Sequence, residues 1–182
     1  MLNERDYIDA ITQGDDDRLA ELLGSCAGDQ PHLATIAERR PTNHSMGFGM
    51  TLLQLASIRK RKSGNPSKLL IDHGAWIDLH SACGLGMIER IEYLLQDRPQ
   101  SLSDQVDTYF PLQFAITAGR PDVVQLLVEH GDEVNRNLKK VGYFGWEDDA
   151  VDQDSIPWSP IHMASLWGFG GVVSSGRSLT VD

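Results

Sequence analysis

Cysteine is scarce in this chain. The two residues, Cys26 and Cys83 in 182, are too few for a disulfide framework and lack the paired C-x-x-C spacing that holds zinc. Positive charge is also in short supply: 16 Lys and Arg stand against 26 Asp and Glu, for a formal net charge of −10 and a pI near 4.9. That field disfavours nucleic acid and anionic membrane, because phosphate attraction needs a surplus of Lys and Arg on the contacting face. It suits a protein partner with a neutral or basic surface. No run approaches the ~18 apolar residues of a membrane span. The opening MLNERDYIDAITQGDDDRL carries three consecutive acidic residues and no apolar stretch of signal-peptide length. The chain is therefore expected to be soluble and cytoplasmic. Catalytic signatures are missing too: there is no phosphate-cradling glycine loop, nucleophile elbow, H-E-x-x-H or zinc quartet. No catalytic residue, cofactor or metal is expected, and the chain reads as a non-enzyme.

What the sequence does hold is a repeat inside one folded unit, for which 41% hydrophobic and 23% charged residues are ordinary. The clearest copy is FPLQFAITAGRPDVVQLLVEHGDEVN, Phe110 to Asn135. Pro111 suits a first helical turn, Gly119 breaks the helix, and Gly131 suits a left-handed stop after a second one. The spacing predicts helix, turn, helix. The same pattern fits LHSACGLGMIERIEYLL, with Ala82 and Ala115, like Gly86 and Gly119, 33 positions apart. Further copies are TLLQLAS at 51–57 continuing at KLLIDHGAWID, SPIHMASLWG at 159–168, and a fainter YIDAITQG at 7–14 followed by Leu19, Leu22 and Leu23. Apolar residues such as Val123, Val124, Leu126 and Leu127 cannot be buried by two short helices alone, so neighbouring units must cover them. The small Ala82, Ala115 and Ala164 would let the helix pairs approach in a stacked solenoid.

The line FPLQFA…AG…DVVQLLVEHG…VN, with its partial copies, resembles the ankyrin repeat family, whose pattern is T-P-L-H-x-A-A, a glycine, an aliphatic helix, then G-A-D-V-N. The resemblance implies an all-α, ankyrin-type solenoid of about five helix-turn-helix repeats in a single domain over 1–182. The repeats fall near 5–28, 50–78, 79–102, 109–135 and 158–174. The last is incomplete, since two adjacent glycines follow Trp167-Gly168-Phe169 and few aliphatics remain. The array is irregular elsewhere as well. Asp78 runs directly into Leu79, leaving no room for a hairpin finger. Ala164 follows Ala115 by 49 positions, 16 beyond the regular spacing, so one long finger loop is inserted at 136–157. The connector 29–50 cannot be assigned from the pattern.

The resemblance also implies a non-catalytic protein-binding module, because partners of this family lie along the concave surface made by the finger tips and the ends of the first helices. Transferred residue by residue, that surface takes in Thr12, Gln13, Ile58, Arg59, Gly84 and Leu85. Toward the C-terminus it takes in Tyr109, Thr117, Ala118, Trp158, Leu166 and Trp167, and Trp and Tyr are the usual binding hot spots. Tyr109 and Trp158 could equally pack their own loops. Within the insertion, Tyr143, Phe144 and Trp146 stand beside a run of carboxylates and would suit a basic surface; the other reading is a solvated loop. Asp148, Asp149, Asp152 and Asp154 lack the spacing of a helix-loop-helix calcium site. A monomer is expected, with self-association open to the incomplete last repeat. The rival reading is a regulatory or inhibitory subunit, or a fragment of a larger ankyrin-containing enzyme.

Other residues have structural readings. Arg59-Lys60-Arg61-Lys62, near Lys68, reads as a charged, solvated turn more readily than as a nuclear-import or phosphate-binding patch. His80 and His162 hold the position where the resembled pattern ties neighbouring loops by hydrogen bonds. His73 and His130 precede helix-stopping glycines, where the helix dipole favours them. Cys83 is expected to be a buried free thiol. His32 and His44 fall in the unassigned connector.

Overall fold

A computed structural model describes residues 4–25, 50–59, 64–106 and 109–132, and among these the chain is helical with no strand. The first pair is α1 (Glu4–Gln13) and α2 (Asp16–Gly24), split at Gly14. The second is α3 (Leu52–Ile58) and α4 (Pro66–Asp72), the third α5 (Leu79–Leu85) and α6 (Ile88–Asp97), the fourth α7 (Pro111–Thr117) and α8 (Pro121–Glu129). Proline opens α4, α7 and α8, where its missing N–H has no helical acceptor to lose. Gly86 stops α5 with φ +77°, and Gly119 takes φ +69° one position after the cap of α7. A side chain would disfavour both conformations. Pro111, Gly119 and Gly131 thus punctuate the chain as their positions predict.

The pairs stack. Helices α1, α3, α5 and α7 pack side by side in one layer, each carries its own partner, and α2 also meets α4. The small Ala82 and Ala115, both fully buried, sit where the first-layer helices touch. Every residue of α3 and the first six of α5 and α7 are buried, which is why these helices are apolar nearly all round. The buried apolar side chains form two clusters. One joins Tyr7, Leu19, Leu22 and Leu23 to Leu53, Leu55 and Leu70; the other joins Leu79, Ala82, Ile91 and Leu95 to Leu112, Phe114, Val123 and Leu127. Ile77 packs against both.

Connectors follow the expected irregularity in part. Only six residues separate Asp72 from Leu79, in keeping with a missing finger. Between α6 and α7 a short 3-10 helix (Pro99–Ser103) is followed by a bridge in which Val106 and Tyr109 exchange two N–H···O bonds of 3.0 Å. The sequence pattern does not announce that 3-10 turn. Cys26, residues 29–49 of the 29–50 connector, Lys60 to Lys62, the 136–157 insertion and the 158–174 unit with His162 and Ala164 lie outside the described residues.

Candidate interaction surface

The starts of the first-layer helices are tied together by polar side chains. Thr51 caps α3 through its Oγ1, which accepts from the Gln54 amide at 3.1 Å, while Gln54 Oε1 accepts from the Thr51 amide at 2.8 Å. This closes a capping box. The Gln54 amide nitrogen then donates to Asp78 at 2.5 Å, and the other Asp78 oxygen caps α5 by accepting from Ser81. His80 continues the line: its Nε2 lies 3.1 Å from the Asp104 carbonyl, and its ring meets Phe114 edge-on at 5.1 Å. Burial holds its pKa below the ordinary 6.5, outweighing the nearby Asp78 and Asp104. This is the loop-tying duty expected of it.

Tyr109 belongs to the same buried cluster. It is 3% exposed, with its ring 6.3 Å from Phe114 and nearly perpendicular to it. The expected place of Tyr109 on an open binding face is therefore corrected: bridge pairing to Val106 turns the ring into the core. Ile58 and Gly84 are buried as well.

What remains accessible of the expected face is at the other end of these helices, where Leu85, Thr117 and Ala118 are half-buried. The structure brings two of them together. Leu85 and Ala118 border a pocket of about 290 Å³ whose polar lining is Ser57, Arg59, Ser67 and Arg120. Gly84 lets α5 approach α3 at the pocket's edge, because a Cβ there would collide with the Ser57 hydroxyl and lie 2.8 Å from its Cβ. Arg120 lies across the gap, its Nε donating to the Gly84 carbonyl at 3.4 Å. Thr117 turns inward instead and donates to Gln113 at 2.7 Å. Arg59, grouped by sequence with a solvated basic run, behaves otherwise. Its Nε and Nη2 are shut off from solvent and meet no acceptor among the described residues, and burial lowers its pKa.

A second surface lies on α6 and the connector before α5. Trp76 is 74% exposed and Tyr93 62% exposed, and the Arg90 guanidinium lies 5.2 Å from the first ring and 5.4 Å from the second. Both distances suit cation–π attraction. Arg90 is anchored from behind by bonds of 3.2 and 3.4 Å to the Ile77 carbonyl. The signal was present in the chain. Trp76 stands in Gly74-Ala75-Trp76-Ile77-Asp78, where the resembled G-A-D-V-N line has a small acid, and Tyr93 falls off the apolar stripe of Ile88, Ile91 and Leu95.

Tyr143, Phe144, Trp146, Trp158, Leu166 and Trp167 lie outside the described residues. Elsewhere the structural readings hold. His73 and His130 each donate from Nδ1 to the carbonyl four residues back, at 2.8 and 2.9 Å, closing the ends of α4 and α8. Cys83 is a fully buried free thiol whose pKa burial pushes well up. Among the described residues no group of three or more His, Cys, Asp or Glu could hold a metal ion, and no helix is long and apolar enough to cross a membrane.

Comparison with known proteins agrees with the helix pairs. Residues 107–140 match the family model of the ankyrin repeat, so the chain contains an ankyrin repeat there. Over 72 residues it is 36% identical to SMC5-SMC6 complex localization factor protein 1 of Homo sapiens, and to the protein of the same name in Bos taurus. The alignment takes in 37% of this chain, which spans about 7% of the length of each relative.

Proposed function

We propose that this chain is a non-catalytic, cytoplasmic binding module of about five ankyrin-type repeats that holds a segment of another protein. Ankyrin repeats generally mediate protein–protein contact, and the matched repeat at 107–140 supports that class of role. The observation that carries the proposal is the stack of Trp76, Arg90 and Tyr93, two large rings held open to solvent around a guanidinium on a packed helical scaffold. Leaving so much aromatic area in water is unfavourable for a free protein, and rigid aromatics flanking an arginine are the usual composition of a binding hot spot. The net charge of −10 favours a neutral or basic partner, not nucleic acid or membrane.

In this reading a second contact is made by the concave face near Leu85, Thr117 and Ala118, and by the 136–157 loop with Tyr143, Phe144 and Trp146, together with Trp158, Leu166 and Trp167. The named relatives are complex localization factors, and we carry across only a general role in binding a macromolecule. The chain itself acts as a monomer.

The test is affinity capture with the intact chain, beside Trp76→Ala/Tyr93→Ala and Tyr143→Ala/Trp146→Ala/Trp158→Ala versions that keep the native helical spectrum. Partners retained by the intact chain should be lost from the first variant and weakened in the second. If all three chains retain the same partners equally, neither aromatic group is the contact.

A further inference from the structure

The pocket between the C-terminal ends of α3, α5 and α7 has a chemistry that the binding role above does not use. Two guanidiniums line it in a chain that is strongly acidic overall, and they are in different states. Arg120 answers a helix end through its bond to the Gly84 carbonyl. Arg59 is half-buried, and its Nε and Nη2 lie out of contact with water and meet no acceptor among the described residues, while burial lowers its pKa. Burying N–H groups of a cation without an acceptor is costly, and an arginine does not escape the cost by losing its proton. Folded proteins seldom leave such a group unanswered, so an orphaned guanidinium in a pocket wall calls for a missing partner.

The rest of the lining narrows what that partner is. Ser67 adds a hydroxyl, and Ser57 spends its own proton on the Gln54 carbonyl at 2.7 Å. The pocket wall thus holds donor side chains from Arg59, Arg120 and Ser67 on three different segments, an arrangement suited to a tetrahedral anion more than to a planar one. A phosphate monoester carries a charge of about −1.5 to −2 at pH 7, close to what two guanidiniums neutralise. Gly84 lets α5 close on α3 at the pocket's edge, and Gly86 leaves room for Arg120. A Cβ at Gly84 would strike Ser57, and one at Gly86 would press to 3.2 Å on Arg120 Nε.

We propose that this pocket binds a phosphate monoester, with Arg59 and Arg120 as its two charge-bearing ligands and Ser67 as a neutral donor. A turn of the Arg59 guanidinium about its terminal torsions brings its orphaned N–H groups onto the anion. The site is independent of the Trp76–Arg90–Tyr93 surface.

The experiment is thermal unfolding of the intact chain, followed by circular dichroism, in inorganic phosphate against chloride at matched ionic strength. Ligand bound only to the folded state should raise Tm by about 3 to 6 °C at ten times the dissociation constant. Arg59→Gln and Arg120→Gln should each weaken phosphate binding by about tenfold or more, whereas Lys68→Gln, at an exposed lysine, should leave it unchanged. Each variant is compared with its own Tm in chloride, so a change in basal stability does not obscure the result. A phosphoserine peptide that binds tighter than inorganic phosphate, while its unphosphorylated form does not bind, assigns the ester to a protein; equal binding assigns it to a small molecule. No phosphate-specific rise, or a rise unchanged in both arginine variants, overturns the proposal.

Discussion

Gln54 and Asp78 are 24 residues apart, and the amide of one donates to the carboxylate of the other at 2.5 Å. The bond joins a side chain that closes the capping box of α3 to the side chain that caps α5, so two helix starts in neighbouring repeats share one polar network. Asp78→Ala would remove the cap and leave the Gln54 amide buried without its acceptor. The expected loss is about 2–4 kcal/mol of unfolding free energy, read from urea denaturation. Asp78→Asn, which keeps a cap acceptor, should cost less than half as much.

Gly84 faces Ser57 so closely that no Cβ fits between them. Gly84→Ala should destabilise the chain by about 1–3 kcal/mol through overpacking. In a double-mutant cycle with Ser57→Gly much of that loss should return, because the colliding atoms are then gone. Additive losses would place the strain elsewhere.

His80 sets an acid limit on stability. Its folded pKa lies below the ordinary 6.5 because burial disfavours the imidazolium. Above 6.5 both folded and unfolded chains hold it neutral, and stability is full. As pH falls below 6.5 the unfolded chain takes up a proton that the folded one refuses, and stability declines until the lowered folded pKa is reached. His80→Gln, which matches Gln54 and Gln113 at the equivalent positions of neighbouring repeats, should flatten the stability profile between pH 6.5 and about 5, above the bulk of carboxylate titration.

Cys83 is buried with its thiol pKa pushed well up, so the reactive thiolate is suppressed twice over. In a Cys26→Ser chain, a thiol reagent at pH 8 should label Cys83 only as fast as the native structure opens, with urea accelerating it in step with unfolding. Rapid labelling in native buffer would contradict the burial.

The helix pairs were legible in the sequence because their determinants are local. Pro111, Gly119 and Gly131 act on their own backbone, and Val123, Val124 and Leu127 declare a buried face by their spacing. The interaction surfaces depend on what lies opposite in space. Nothing about Tyr109 alone says that pairing with Val106 turns its ring under Phe114. Arg59 sits in a basic run that reads as solvated, and only the fold reveals that its Nε and Nη2 are shut off from solvent. Trp76 and Tyr93 were legible in principle, as departures from the repeat line and from the apolar stripe of α6. The bracketing of Arg90 between them requires the fold.

The two hydrophobic clusters interleave around α3 and α5: Ile77 packs against both, Ile58 of α3 belongs to the cluster that holds Leu79 and Leu112, and Leu85 of α5 packs against the other. A chain pulled from its ends should therefore not come apart cleanly between those two helices. The Gln54–Asp78 bond and the α3–α5 packing carry tension across the seam, so the repeats on its two sides should give way together in one extension.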